Sequence, residues 1–231
     1  WGQGADTLRG GAGNDSLSVT GGDDLIEAGS GNDSAVFGSA GNIAYLGEGN
    51  DSLISWEETV SLASAEGTNI VYGGGGSDTV LAHGTEDSII NGGGGNDDLT
   101  LIGTGEVFGK EGSDTLNGST VFGGEGNDYV RTGAAEGTDS TVGYGGGGHD
   151  SVYGDETNDL LGGGAGNDTV GGGAANDTLF GGTGRDSIFG STGDDVGYGG
   201  DGNDNMFAGD DNDTFGGGAN KDTIDGGAGN D

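Results

Sequence analysis

A nine-residue pattern, Gly-Gly-x-Gly-x-Asp-x-U-x with U apolar, recurs along this whole chain. Its cleanest copies are GGAGNDSLS (10–18), GGEGNDYVR (123–131), GGAGNDTVG (163–171) and GGTGRDSIF (181–189). A short fixed period means one small unit that cannot bury its apolar residue alone and is stable only when stacked on its neighbours. Fold and chemistry therefore have to be argued per repeat.

Composition sharpens the problem. The chain has 231 residues, 62 of them Gly, no Pro and no Cys. Forty acidic residues face five basic ones for a net charge of −35, and only 29% of residues are apolar. Those numbers alone describe a disordered polyanion, with too little apolar surface to offset chain entropy. The regular return of one apolar residue argues for folding, and the two are reconciled if a cation must bind before the chain compacts.

Ten nonapeptides in one frame fill residues 1–90, ten more begin at 145 and end in a partial copy, and 91–144 is irregular. Numbering positions 1–9 from the first Gly, positions 1–6 read as a Gly-rich turn and 7–9 as a short strand. Position 8 then faces inward and 7 and 9 outward. The inward set includes Leu8, Leu17, Ile26, Leu53, Leu62, Val71, Val80, Ile89, Leu99, Leu116, Val130, Leu161, Ile188, Met206, Phe215 and Ile224, with Ala35, Ala44 and Gly197 as weak points. One inward residue per repeat implies two strands per coil facing each other, hence two parallel sheets. The predicted fold is all-β: a single continuous β-solenoid over 1–231, two nonapeptides per coil and about thirteen coils.

Two columns of turn residues follow from that parity. One runs Asp6, Asp24, Asn42, Val60, Asp78, Asp97, Asp114, Asp128, Asp150, Asp168, Asp186, Asp204 and Asp222. The other runs Asp15, Asp33, Asp51, Asn69 and Asp87, skips two turns, and resumes at Asp139, Asp159, Asp177, Asp195, Asp213 and Asp231. A carboxylate among turn carbonyls offers hard oxygen ligands. With no Cys and two scattered His, zinc and copper are poor candidates, and flexible oxygen-rich turns suit calcium better than magnesium. The same Asp could instead make Asx-type turns beside Gly, but position 6 rarely becomes Asn or Ser, which favours metal. All the Asp residues of both columns are candidate ligands for stacked Ca2+ ions.

The nonapeptide resembles the RTX (repeats-in-toxin) family, whose motif binds calcium. The resemblance implies a right-handed parallel β-roll. It implies calcium held between neighbouring turns by Asp carboxylates and backbone carbonyls. It also implies type I secretion of a chain that folds only outside the calcium-poor cytosol. SWEETVSLA (55–63) departs from the pattern, with Trp56 and Val60 in place of Gly and Asp. A calcium-poor band is predicted near 37–72 and a one-sided gap near 101–122.

Position 9 supplies an aromatic stripe, Tyr72, Phe108, Phe122, Tyr144, Phe180 and Tyr198, expected on the outer face of one sheet together with Val36, Ile54 and Ile90. Tyr45, Tyr153, Phe189 and Phe207 are assigned to the other sheet. Such a stripe either marks a protein or self-association interface or consists of rings lying over neighbouring turns. An acidic surface repels phosphate, which excludes nucleic acid, and no apolar run has transmembrane length. No signal peptide is read at the start, and the final GGAGND stops partway through a repeat, so the chain reads as an excerpt of a longer one or a protomer with covered ends. No catalytic constellation is found: His83 and His149 sit at turns without a nucleophile, and the GxGxxG-like strings precede no helix. The expected role is non-enzymatic: a calcium-dependent structural region of a secreted or cell-surface protein of adhesin, surface-layer or filament type. The alternative is an accessory domain of a secreted enzyme or toxin. Ice binding is disfavoured because position 3 is seldom Thr.

Overall fold

The computed structural model describes residues 4–38, 42–55, 69–84, 88–133 and 140–231, and the chain divides into two compact units, 1–118 and 119–231. Every regular element among the described residues is a β-strand. In the first unit, one sheet stacks Thr7–Ala12, Leu25–Ser30, Ile43–Glu48, Ile70–Gly75, Ile89–Gly94 and Glu106–Glu111, each parallel to the next. The strands between them, Ser16–Ser18, Ser34–Phe37, Ser52–Ser55, Thr79–Gly84, Asp98–Gly103 and Thr115–Gly118, form a second parallel sheet. The second unit repeats the plan. Its first sheet is Thr120–Glu125, Val142–Gly147, Leu160–Ala165, Thr178–Thr183, Val196–Asp201 and Thr214–Ala219. Its second is Tyr129–Thr132, Ser151–Tyr153, Thr169–Ala174, Ser187–Thr192, Asn205–Asp210 and Thr223–Ala228. Parallel neighbours need a long crossover; here the crossover is a strand of the opposite sheet, which is why a coil takes two repeats. The two-sheet parallel solenoid is as expected.

Position 8 is the core, as its alternation predicts: Leu17, Ile26, Leu53, Val71, Leu99, Leu116, Val130, Leu161, Ile188 and Met206 are all buried. Phe215 is half-buried and Ile224 is 45% exposed in the last coil, and Leu62 lies outside the described residues. The weak point at Gly197 is filled from the next coil, because a Cβ there would run into the Phe215 ring.

Most strands are longer than three residues. They continue through position 9 into positions 1–3 of the next repeat, so alternation also turns position 1 inward. Val19, Ala28, Leu46, Ala82, Leu101 and Ala208 are buried there, a second core row that a turn reading of positions 1–6 misses. Positions 2 and 4 carry the bend. Gly29 and Gly31, for instance, have φ of 118° and 124°, a region that only Gly enters at low cost.

The expected coil count and parity are corrected at two places. Ile43 pairs with Ile70, a 27-residue step in place of the expected 18. Among the described residues each unit has six strand pairs, twelve in all against the roughly thirteen coils expected. A second slip follows at 88: Ile90 is buried and Ile89 is not, so the inward residue is Ile90 and the outward one Asn91. Tyr45 consequently stacks on Tyr72 in the first sheet, with centroids 5.1 Å apart, while Val36 and Ile54 belong to the second.

Candidate metal sites

With the register corrected, the turn columns sort differently. In the first unit one column is unbroken: Asp15, Asp33, Asp51, Asp78, Asp97 and Asp114. The other begins Asp6 and Asp24 and continues with the neutral side chains of Asn42, Asn69 and Ser88. In the second unit one column is Asp128, Asp150, Asp168, Asp186, Asp204 and Asp222. The other is Thr141, Asp159, Asp177, Asp195, Asp213 and Asp231. Asp78 thus follows Asp51 and not Val60, which lies outside the described residues with Asp87 and Asp139. The coil after Asn69 presents Ser88 at this position.

Each rung is bound to the next by the same contact. The backbone N–H at position 6 donates to Oδ1 of the Asp one coil further on, as Asp33 does to Asp51 (2.7 Å) and Asp168 to Asp186 (2.9 Å). Position 5 runs a ladder the opposite way: the Asn32 N–H donates to Asn14 Oδ1 (3.1 Å) and that of Asn50 to Asn32 Oδ1 (3.0 Å). His149 is one of its rungs, exposed, with Nδ1 accepting the Asn167 N–H at 2.8 Å. The Asp column is therefore a coil-to-coil device and not a series of local Asx turns; local turns do occur, but at Asp155, which accepts from Thr157.

Oδ1 is satisfied; Oδ2 is not. The Oδ2 atoms of Asp15, Asp24, Asp33, Asp51, Asp78, Asp97, Asp150, Asp168, Asp177, Asp186, Asp195, Asp204 and Asp213 are buried with no hydrogen-bond partner. A buried anionic oxygen without a partner costs several kcal/mol, and a row of them needs a compensating positive charge.

Position 1 shows where such a charge would sit. A Cβ built on Gly181 would lie 2.5 Å from Asp186 Oδ2 and 2.5 Å from the Gly199 carbonyl oxygen; on Gly10 it would lie 2.6 Å from Asp15 Oδ2 and 2.5 Å from the Ala28 carbonyl. A carboxylate oxygen and a carbonyl from the following coil likewise converge beside Gly73, Gly92, Gly163, Gly190 and Gly199, whereas the rungs at Asp24, Asp33, Asp51 and Asp213 have Val19, Ala28, Leu46 and Ala208 at position 1. Among the described residues no three carboxylate or imidazole side chains gather into one cluster, so backbone carbonyls must complete any site. Hard oxygens of mixed origin are a donor set suited to calcium, and the residues present fit that ion.

The electrostatics agree. Burial pushes the Asp78 carboxyl up to about 7 against the backbone hydrogen bond from Asp51, with Asp97 and Asp51 adding repulsion. Asp177 also reaches about 7, and Asp150, Asp186 and Asp195 about 6, desolvation leading in each. Asp51, Asp97, Asp168 and Asp213 are raised for the same reason.

The predicted ligands are not all alike. Asp6, Asp15 and Asp222 are half-buried and Asp231 is exposed. Asp159 is saturated: its Oδ2 accepts the Asp155 N–H (2.9 Å), and its Oδ1 accepts the N–H and the hydroxyl of Thr141 (3.1 and 2.6 Å). The neutral rungs at Asn42 and Asn69 were legible as departures; Ser88 and Thr141 were not, because a strict nine-residue count reads past them. The strand motif itself carries the signal: NIAY (42–45) and NIVY (69–72) are near copies, and aligning them would have given the register.

A family model for the RTX calcium-binding nonapeptide repeat (4 copies) matches residues 2–35, 63–80, 108–138, 137–170, 171–206 and 198–231. No curated protein matches the chain. Two of the neutral rungs, Asn42 and Ser88, fall in the stretches the family model leaves out.

Proposed function

The chain belongs to the RTX calcium-binding nonapeptide repeat family, and from that premise we propose that it is a calcium-dependent structural module, unfolded without the ion and folded with it. The observation that carries this is the row of buried, unpartnered Asp Oδ2 atoms. The residues that would hold calcium are Asp15, Asp24, Asp33, Asp51, Asp78, Asp97, Asp150, Asp168, Asp177, Asp186, Asp195, Asp204 and Asp213, with a carbonyl of the next coil beside the carboxylate at Asp15, Asp78, Asp97, Asp168, Asp186, Asp195 and Asp204; Asp114, Asp128 and Asp222 occupy equivalent rungs. The ion would supply the positive charge that these oxygens lack and so tie consecutive coils together. Asn42, Asn69, Ser88 and Thr141 would hold their coils by hydrogen bonds alone.

A repeat region of this kind suits a protein that works where calcium is plentiful, on a cell surface or in the medium, as an adhesin, surface-layer or filament component. The absence of a membrane-crossing helix among the described residues is compatible with that setting and does not select it. Titration of the metal-free chain with calcium, followed by far-UV circular dichroism and calorimetry, tests the reading. Expected are a cooperative gain of β-signal and uptake of many ions, both reversed by chelator. A chain equally folded in chelator at neutral pH would refute it.

A further inference from the structure

The first sheet of the second unit turns an uncharged face to solvent, and we propose that it is the contact surface for a second copy of this chain. The outward positions along its strands are 7, 9 and 2. Position 7 gives Thr120, Val142, Leu160, Thr178, Val196 and Thr214. Position 9 gives Phe122, Tyr144, Gly162, Phe180, Tyr198 and Gly216; position 2 is Gly throughout. None carries a charge, in a chain with 40 acidic residues. The other outer faces are broken by charge. In the first unit, Arg9, Glu27, Glu106 and Lys110 lie on the first sheet and Asp98 on the second; in the second unit, Arg131, Asp155 and Asp225 mark the other face.

Depletion of charge from the centre of a patch with a polar rim is what separates interface cores from ordinary surface. Here the rim is Glu125 and Asp201, where the strands enter the turns. Part of the aromatic area serves the coil itself: the Tyr144 ring covers Gly162, so a Cβ there would meet its Cδ1 at 2.6 Å. Phe180 and Tyr198, stacked with centroids 5.5 Å apart, nevertheless remain 37% and 48% exposed.

Electrostatics selects the occupant. With 40 acidic residues against five basic ones, two chains repel wherever carboxylates not neutralised by bound ions meet, and like charges placed together across an interface cost several kcal/mol. This face lets two copies approach without opposing carboxylates, and a two-fold axis lets it meet itself, sheet on sheet. Six strands at ~4.8 Å and about five residues at ~3.3 Å span roughly 29 by 16 Å, or about 460 Å² in each copy. Some 900 Å² in total belongs to weak, concentration-dependent association and not to an obligate dimer.

Sedimentation velocity of the calcium-loaded chain across a concentration series tests this, with circular dichroism on the same samples to show that the solenoid is folded. The proposal rests on the calcium reading only through folding, so a folded chain that stays monomeric sinks this inference alone. Expected are a dimer fraction that grows with concentration, its loss in the Phe180→Asp/Tyr198→Asp double variant, and its persistence in Phe189→Asp/Phe207→Asp on the opposite sheet. Loss in the second variant but not the first would move the interface and overturn the proposal. So would a chain monomeric at every concentration that binds an insoluble neutral polysaccharide through Tyr198, which would assign the face to a sugar.

Discussion

Along the first unit, one turn column reads Asp15, Asp33, Asp51, Asp78, Asp97, Asp114 while the other reads Asp6, Asp24, Asn42, Asn69, Ser88. Both make the same coil-to-coil bond. Asn42 Oδ1 accepts the Asp24 N–H at 3.1 Å, and Ser88 Oγ accepts that of Asn69 at 3.1 Å, where an Asp would use Oδ1. What the neutral rungs lack is the second, anionic oxygen. The aspartate thus does two separable jobs: one oxygen sets the stacking, and the other creates a charge that must be met from outside. A column of Asn would stack without needing calcium; a column of Asp makes folding conditional on it.

Breaking that distinction outright gives the largest expected effect. Replacing Asp51, Asp78 and Asp97 together by Asn keeps every Oδ1 acceptor and deletes three anions. In calcium the triple variant should bind fewer ions and lose stability, by about 1–3 kcal/mol for each charged contact removed. In chelator the sign should invert, because the desolvated, mutually repelling charges are gone. Thermal melts in calcium and the β-signal by circular dichroism in chelator check it; a loss in both would show that the second oxygen has no conditional role.

Acid should mimic the same change without mutation. Burial pushes Asp78 and Asp177 up to about 7 in the fold and Asp150, Asp186 and Asp195 up to about 6, against about 3.9 for a free aspartate. Between those values the fold binds more protons than the unfolded chain. The metal-free stability from these groups is therefore fully present below about pH 4 and is lost as pH rises through 6 to 7. Chelated samples should show more folded β-signal by circular dichroism at pH 4.5 than at pH 7.5, and the reverse order would contradict the raised carboxyls. Next in size, Asn42→Asp with Asn69→Asp should extend the charged column, adding bound calcium by calorimetry and raising the calcium needed for half-folding.

How much of this was legible in sequence depends on which register is meant. Leu17, Leu53 and Ile188 announce the strand and its inward face, and Asp15 or Asp186 announces the rung, because a repeated position has the same environment in every coil. The spacing from Asn42 to Asn69 was not legible by counting in nines. Strand pairing decides it, and Ile43 finds Ile70 27 residues on. The inward row at Leu46 and Ala28 was missed for a related reason: Gly usually stands there and hides the fact that the strand continues.

The role of that Gly gives a smaller test. Gly181→Ala should push a methyl against Asp186 Oδ2 and the Gly199 carbonyl and cost about 1–3 kcal/mol in calcium, read from the melting temperature. Smallest is the reverse change at positions 2 and 4, where Ser191 and Ala175 hold φ of 90° and 74°. Ser191→Gly and Ala175→Gly should each stabilise by about 0.5–1 kcal/mol. No gain would mean that the strain is relieved elsewhere.

The opposed directions of the two turn ladders make each coil a debtor to the one after it. The Asp168 amide is capped by the carboxylate of Asp186, and the Asn167 side chain by the Arg185 amide, so a coil is chemically finished only when its successor arrives. A lesion should therefore surface one coil upstream of its cause. Removing the Asp186 carboxylate should quicken hydrogen exchange first at Asp168, eighteen residues before the damaged position in the chain but its neighbour in the stack.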